Sequence, residues 1–386
     1  MSKVRIGIVG IGNMGSLHAI YLLEDKIANA RLTALCDVNH ERLEWAKNRF
    51  GDKVELFEDA EAMFASGVVD GVIIATPHYD HPALAIAAFE KGLHVLCEKP
   101  AGVYTKQVAK MNETAKKSNK VFGIMYNQRT NPLYQKMRDL VQSGELGEIK
   151  RTNWIVTDWY RSQSYYDSGG WRATWAGEGG GVLLNQCPHN LDLWQWICGM
   201  PVRVRAFLSY GKFHDIEVED DVTAYVEYPN GATGVFITST GDAPGTNRFE
   251  ITGDRGKLVA EDGKLTFWRL RVSERQFNKE YTGGFGEPEY WKCSIPIEGE
   301  ETAHQGITAD WVRAIVGGTP LLAPGLEGIK GLTISNAMHL SSWTDDWVDV
   351  PLDEDLFYEK LQEKIKNSTF KKKASEGKVL DVEGTY

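Results

Sequence analysis

The sequence predicts an α/β protein in two parts, a doubly wound parallel sheet followed by an α/β domain with a large, mostly antiparallel sheet. Three observations carry that reading. An apolar run from Val4 to Val9 turns through Gly10-Ile-Gly12-Asn-Met-Gly15 straight into an amphipathic stretch. Apolar runs then alternate with helix-like stretches as far as Met125, the pattern of β-α-β units. After Asn127 the composition shifts to glycine-bounded runs rich in β-branched and aromatic residues, which suits strands joined by tight turns.

Val4 to Val9 reads as a buried strand and Met14 to Ala28 as the helix after it. Leu32 to Cys36 is the second strand, Glu41 to Phe50 a helix, Val54 to Phe57 a strand, Ala60 to Ala65 a helix, and Val68 to Ala75 a nearly continuous apolar strand. Pro82 to Lys91 reads as a helix closed by Gly92, His94 to Cys97 as a strand, Lys106 to Lys117 as a helix, and Val121 to Met125 as the sixth strand. Residues 1–125 therefore make a complete Rossmann domain. Residues 126–350 are the second domain, expected to bind substrate and to oligomerise. Its strands are Val204 to Tyr210, Val222 to Tyr228, Ala232 to Ser239, Arg248 to Thr252, Lys257 to Ala260 and Leu265 to Leu270. Asn230-Gly231, Asp254-Arg-Gly256 and Asp262-Gly263 are the hairpin signals, and helices are expected near Asn190 to Ile197, Thr308 to Val316 and Leu326 to Trp343. Residues 351–386 are a C-terminal extension in which Lys371-Lys372-Lys373 is a solvated basic run.

The glycine turn also has a chemical reading. Gly10 permits a tight turn, Gly12 lets the backbone approach a ligand, and Gly15 allows the helix to pack on the strand. The helix start, with Asn13 and Met14, offers N–H groups and positive dipole to an anion. Glycines alone are a weak signal. Here the second strand ends in Asp37, about 20 residues beyond them, where a carboxylate accepts the ribose hydroxyls of a dinucleotide. A carboxylate there repels a 2′-phosphate, so NAD is predicted over NADP. Val38, Asn39 and His40 supply no arginine for a phosphate, and Arg42 is placed at the adenine face or in solvent.

The chain has 386 residues, 42% hydrophobic and 25% charged, enough for two globular domains with ample cores. A net charge of −10 disfavours nucleic acid as a partner. No apolar run approaches the roughly 20 residues of a membrane span, and the amino terminus enters a strand without a signal-peptide pattern. No membrane association is therefore predicted, and the expected location is cytoplasmic. Five cysteines without a CxxC pair fit reduced thiols rather than a disulfide framework or a zinc module. His78, His81 and His94 lack a convincing set of partner ligands, and no metal is predicted.

Three further clusters carry a resemblance. Thr76-Pro77-His78, with His81, follows the fourth strand; Glu98-Lys99-Pro100 follows the fifth; and Gly179-Gly180-Gly181 leads through Asn185 to His189 and Asp192 in the second domain. Together with the amino-terminal glycines, these motifs occur in the order of the Gfo/Idh/MocA oxidoreductases, and the chain resembles that family up to about Pro351. The resemblance implies a nicotinamide cofactor and a sugar, polyol or nucleotide-sugar substrate. It also implies that Lys99 lies at the reacting oxygen, that Pro100 is a cis-proline fixing its direction, and that His189 is the catalytic histidine. Asn185 stands where the family usually has aspartate, and Cys187 where a glycine is often found.

The residues suit that chemistry, because oxidising a secondary alcohol needs a base for the hydroxyl proton and a positive neighbour for the developing alkoxide. Lys99, at the carboxyl end of a parallel strand, is the cation. His189, in a helix that Pro188 begins and Gly199 ends, is the base and is expected to titrate near neutral pH. Asn185 can orient a hydroxyl or a ring but does not stabilise an imidazolium as a carboxylate would. Asn185→Asp is therefore expected to raise the acidic-side apparent pKa of alcohol oxidation. Thr76, Pro77, His78 and Glu98 are placed with Lys99 at the dinucleotide, and His81 is read as a helix cap. Of the aromatic residues between Trp154 and Trp175, about half are expected in the core. Trp171 and Arg172, which resemble a family pair near the nicotinamide, are assigned to the pocket with Tyr160. Asn127 is assigned to substrate, and it and Arg129 also sit where interdomain packing would use them.

The predicted function is an NAD-dependent dehydrogenase that reversibly oxidises a ring hydroxyl of an uncharged sugar, glycoside or cyclitol. A redox-neutral NAD-dependent glycoside hydrolase using transient oxidation is the alternative. The alternating apolar residues of Val222 to Tyr228 and Ala232 to Ser239 leave one sheet face to be covered, so a homodimer or homotetramer is expected.

Overall fold

The computed structural model of the protein describes residues 3–368 and 370. Its first sheet has β1 (Val4–Val9), β2 (Ala30–Cys36), β3 (Glu55–Phe57), β4 (Gly71–Ile74), β5 (His94–Cys97) and β6 (Phe122–Ile124), all parallel, in the order β3-β2-β1-β4-β5-β6. The crossovers are α1 (Asn13–Leu23), α2 (His40–Phe50), α3 (Ala60–Ala65), α4 (His81–Glu90) and α5 (Thr105–Ser118). Ile6, Ile8, Val72, Ile73, Ile74, Val95 and Leu96 have no exposed surface, which is why these strands read as unbroken apolar runs. The strand order reverses between β1 and β4, both paired to each other, and that reversal opens a crevice at their carboxyl ends. The glycine turn after β1, Thr76 after β4 and Lys99 after β5 all lie on this edge. α1 ends at Leu23 rather than Ala28, because Asp25 and Asn29 take left-handed conformations with φ of 54° and 60°.

The chain then runs through α6 (Pro132–Gln142) into a nine-stranded sheet with α7 (Gln163–Asp167) and α8 (Pro188–Cys198) inserted after its first strand. The strands are β7 (Ile149–Val156), β8 (Arg203–Tyr210), β9 (Glu219–Glu227), β10 (Thr233–Ser239), β11 (Asn247–Gly253), β12 (Gly256–Glu261), β13 (Lys264–Leu270), β14 (Tyr290–Ile295) and β15 (Val348–Asp349). Their order is β14-β13-β12-β11-β7-β10-β9-β8-β15, antiparallel throughout except where β10 pairs with β7. The central strand β7 is absent from the sequence reading because Lys150, Arg151 and Thr152 interrupt its alternation; only Thr152, Trp154 and Val156 turn inward. β14 was missed for a related reason, since four of its six residues are exposed.

α9 (Glu274–Glu280) is a surface helix, whereas α10 (Ala303–Gly317) returns to the first sheet, where Trp311 is fully buried. α11 (Gly328–Thr344) packs on β8 and α8, so one face of the second sheet is covered from within the chain. α12 (Glu354–Asn367) joins the same core through buried Phe357 and Leu361, with Phe357 stacked on Trp343 at 5.3 Å. The start of the extension is thus part of the fold, and Lys371-Lys372-Lys373 lies outside the described residues. No helix among the described residues is long and apolar enough to cross a membrane.

Candidate active site

At the first glycine turn, backbone geometry explains the residue types. Gly10 has φ of +89°, and a Cβ there would lie 2.7 Å from the Ala75 carbonyl oxygen; a Cβ on Gly15 would lie 1.8 Å from the Gly10 carbonyl oxygen. A Cβ on Gly12 would meet nothing within 4 Å, and Gly12 starts α1 without a side-chain cap. The helix therefore presents an uncapped amino-terminal end beside open space. Asp37 is locked by accepting from Ile11 N at 2.6 Å and Asn39 N at 2.9 Å, while each oxygen keeps a lone pair for a hydroxyl donor. Arg42 is not turned to solvent. Its Nε donates to the Ile11 carbonyl at 2.6 Å and its Nη2 to Ser16 Oγ at 2.8 Å, so it braces the turn from behind.

Five of the buried polar atoms without a protein partner stand after β4, after β6 and at the start of α8: Thr76 Oγ1, both amide atoms of Asn127 and both ring nitrogens of His189; others lie on residues away from these positions, such as Asn112 and Trp343. Each such group costs about 1–3 kcal/mol if it stays unpaired, so these five fit walls that receive a polar ligand. A dinucleotide and a hydroxylated substrate fit this donor and acceptor set.

Lys99 follows β5 and precedes a cis bond to Pro100. Its Nζ donates to the main-chain carbonyl of Asn185 at 2.8 Å, leaving two N–H donors. Burial lowers its pKa, opposed by the charge of Glu98. Asn185 is delivered by the glycine-rich turn, and Glu219 from β9 holds that turn. The fully buried Glu219 carboxylate accepts from Gly181 N at 2.8 Å and Leu183 N at 3.0 Å, and lies 3.0 Å from His339 Nε2. A Cβ on Gly181 would sit 2.0 Å from the Glu219 carbonyl oxygen, so the third glycine of the run is required by close approach. The Asn185 side chain donates to Glu178, not to His189.

His189 packs edge-on to Tyr126 at 6.2 Å. Its pKa is not near neutral as the sequence reading expects: burial, then the Lys99 charge, hold it well below the ordinary imidazole value. The ring is therefore neutral at physiological pH. With no hydrogen bond between the two side chains, Asn185 does not tune it by contact.

Other expected residues take different places. Glu98 faces inward, 2.7 Å from His18 Nε2; burial pushes its pKa up, but the hydrogen bond and electrostatic interaction with His18, together with His304 and Lys99, hold it down at about 2. His81 does not cap α4; its ring lies between the carbonyls of Pro100 at 2.7 Å and Thr76 at 2.8 Å, tying the two loops together. His78 is buried between the Glu178 carbonyl at 3.2 Å and the Trp171 ring at 5.5 Å. Arg172 lies over the Trp171 and Tyr165 rings at 4.7 Å and donates to Tyr165 Oη at 2.9 Å. Tyr160 is 52% exposed, while Trp154, Tyr166 and Trp175 are core. Arg129 is a brace rather than a pocket residue, paired with Asp192 and Glu327. Sequence reading missed Glu178, Glu219 and His304. None stands in a recognisable local pattern, and His304, 5.9 Å from the His18 ring, reaches the Glu98–Lys99 region only because α10 folds back. Among the described residues no group of His, Cys, Asp and Glu could hold a metal ion.

Two family models match the chain: an oxidoreductase family with an NAD-binding Rossmann fold over residues 4–126, and a GFO/IDH/MocA C-terminal domain over residues 134–259. Levoglucosan dehydrogenase of Pseudarthrobacter phenanthrenivorans is 26% identical, over 91% of this chain and 99% of that protein. Myo-inositol 2-dehydrogenase of Thermotoga maritima is 26% identical, over 68% of this chain and 77% of that protein. The structure of the WlbA dehydrogenase from Bordetella pertussis, solved with NADH and UDP-GlcNAcA, superposes with a TM-score of 0.76 at 25% identity, covering 91% of this chain and 100% of that one.

Proposed function

The chain belongs to the Gfo/Idh/MocA family of NAD-dependent oxidoreductases, and from that premise we propose that it reversibly oxidises a ring hydroxyl of a sugar, glycoside or cyclitol. The observation that carries this reading is the pairing of Lys99, with two uncommitted N–H donors, and a buried neutral His189 with both nitrogens open, beside the dinucleotide crevice. Gly10, Gly12, Asn13, Met14 and Gly15 would hold the pyrophosphate, Asp37 the adenosine ribose, and Thr76, Pro77, His78, Trp171 and Arg172 the nicotinamide half. NAD, when bound, supplies the hydride acceptor. Lys99 Nζ donates to the substrate oxygen and stabilises negative charge there as the hydroxyl proton leaves. An open ring nitrogen of His189 accepts that proton, which a neutral imidazole does and an imidazolium does not. Asn127, Asn185 and Tyr160 orient neighbouring hydroxyls, and the Trp171 face stacks on the ring.

Incubating the purified protein with NAD and a panel of sugars, glycosides and cyclitols tests the reading. Net NADH accumulation is the expected result. Sugar release without NADH would favour the hydrolase, which the dehydrogenase names of the relatives do not support. Silence across the panel would refute catalysis on this substrate class.

Asp37→Ser is expected to narrow the preference for NAD over NADP by about 10-fold, because the carboxylate that accepts ribose hydroxyls and repels phosphate is gone. Calorimetry at matched salt measures it, and equal affinities in the unmodified protein would contradict it.

A homo-oligomer, dimer or tetramer, is part of the same proposal. Phe207, Thr223, Ile237 and Ile155 form one cross-strand row over β8, β9, β10 and β7 on the face turned away from α11. Phe207 is 61% exposed and Ile155 36%. Such a row is the surface a second copy would cover. Ile237→Asp is expected to yield monomers in light scattering at micromolar concentration; a monomeric unmodified protein would refute this.

A further inference from the structure

Asn185 is neutral, yet a carboxylate stands directly behind it. Glu178 is 2% exposed, and its oxygens are divided between two donors: Oε2 accepts from Ala173 N at 2.5 Å and Oε1 accepts from the Asn185 side-chain amide. Two N–H donors require two acceptors, which a carboxylate provides and a carboxylic acid or a primary amide does not. Burial raises the Glu178 pKa; the nearby Arg172 charge and these two hydrogen bonds oppose that, and Glu219 adds to it. A buried carboxylate of this kind is costly unless its bonds are kept. Asn185 is thereby held at both ends, its amide by Glu178 and its main-chain carbonyl on Lys99 Nζ at 2.8 Å.

We propose that Glu178 is a positioning residue of the oxidation: it fixes Asn185, through Asn185 it fixes Lys99, and it places beside Lys99 the negative charge that Asn185 lacks. The proposal rests on the reading that Lys99 donates to the reacting oxygen. The charges that face Lys99 are Glu98 and Glu178, which favour its ammonium, and Arg172 and Arg161, which oppose it. His78, His189 and His304 face it as well, with pKa values lowered by burial, as does the Cys187 thiol, whose pKa burial raises.

Three variants test it: Glu178→Gln, Asn185→Asp, and the exchange that combines them. In Glu178→Gln the charge is lost, and the bonds to both neighbours are kept only if the Asn185 amide turns over, giving its oxygen to the introduced N–H and swinging its own N–H away from its native place. In the exchange, the introduced glutamine gives its N–H to the introduced aspartate and keeps its oxygen for Ala173 N, so every bond is satisfied and the charge returns. Asn185→Asp alone sets two carboxylates in contact, which hold one proton between them. That replaces the simple upward pKa shift expected from the sequence.

The first readout needs no turnover. Acetylation of Lys99 by acetic anhydride, followed by mass spectrometry across pH, reports when its amine deprotonates. The midpoint is expected to fall by about one pH unit in Glu178→Gln and to return in the exchange. In the second readout, turnover on an active panel compound falls by about 10-fold to 100-fold in Glu178→Gln at unchanged NADH affinity, and recovers in the exchange. An unmoved Lys99 midpoint would overturn the proposal. So would a turnover loss matched by lost NADH affinity and not rescued by the exchange, which marks a merely structural role. If the unmodified protein oxidised nothing while the Lys99 midpoint still shifted, the dehydrogenase reading would fail and the Glu178–Asn185–Lys99 link would stand.

Discussion

Lys99→Met is expected to cut turnover by about 100-fold or more while NADH affinity changes little. Methionine matches the length of the lysine stem and removes only the ammonium, so the loop after β5, tied through His81 to Pro100, keeps its course. What disappears is the donor aimed at the developing alkoxide, in a buried place where such a donor is worth far more than in water. The hydrogen bond to the Asn185 carbonyl is lost too, but that carbonyl neighbours the open crevice and can be met by water. Steady-state kinetics with NADH fluorescence titration separates the effects. Near-normal turnover in a folded variant would make Lys99 structural.

Arg129→Met is expected to destabilise the protein by about 3–5 kcal/mol, the usual cost of stranding one member of a buried ion pair. Arg129 is 1% exposed; its Nε and Nη2 donate to the two oxygens of Asp192 at 2.8 and 2.7 Å, and its Nη1 to Glu327 at 2.7 Å. The guanidinium thus ties the turn after β6 to α8, which carries His189, and to the approach to α11. Burial already raises the Asp192 pKa against the pull of Arg129, and without that pull the folded-state value rises further. The folded state then binds the Asp192 proton more tightly than the unfolded chain. The loss should therefore be full at neutral pH and shrink as pH falls toward the ordinary carboxylate range near about 4. Urea unfolding at neutral and acid pH measures both terms, and Arg129→Met with Asp192→Leu should recover much of the stability. An equal loss at both pH values would mean that Asp192 is not the stranded charge.

The parts legible in sequence were those with a local cause. The Rossmann sheet follows from fully buried parallel strands, whose apolar runs announce themselves, and the glycines from backbone approaches such as Gly15 on Gly10. Lys99, Asn185 and His189 are candidates that short motifs single out, and the fold sets Lys99 Nζ on the Asn185 carbonyl. β7 was hidden because the polar run Lys150-Arg151-Thr152 breaks the apolar alternation that marks a strand. Glu178 and Glu219 were hidden for a different reason: each acts on backbone or side-chain donors brought to it by folding, Glu219 from a strand 38 residues beyond Gly181. For His189 the ionisation expected from sequence does not hold, since a sequence does not report the desolvation that makes its ring neutral.

The central claim, that a ring C–H is oxidised beside Lys99 and His189, is tested most directly by isotope transfer. A panel compound that yields NADH is prepared with deuterium on the ring carbons bearing its hydroxyls, and both products are analysed by mass spectrometry. The expected result is deuterium in the NADH at one equivalent per ketone formed, lost in Lys99→Met. NADH without deuterium, or substrate consumed with no deuterium reaching the cofactor, would contradict it.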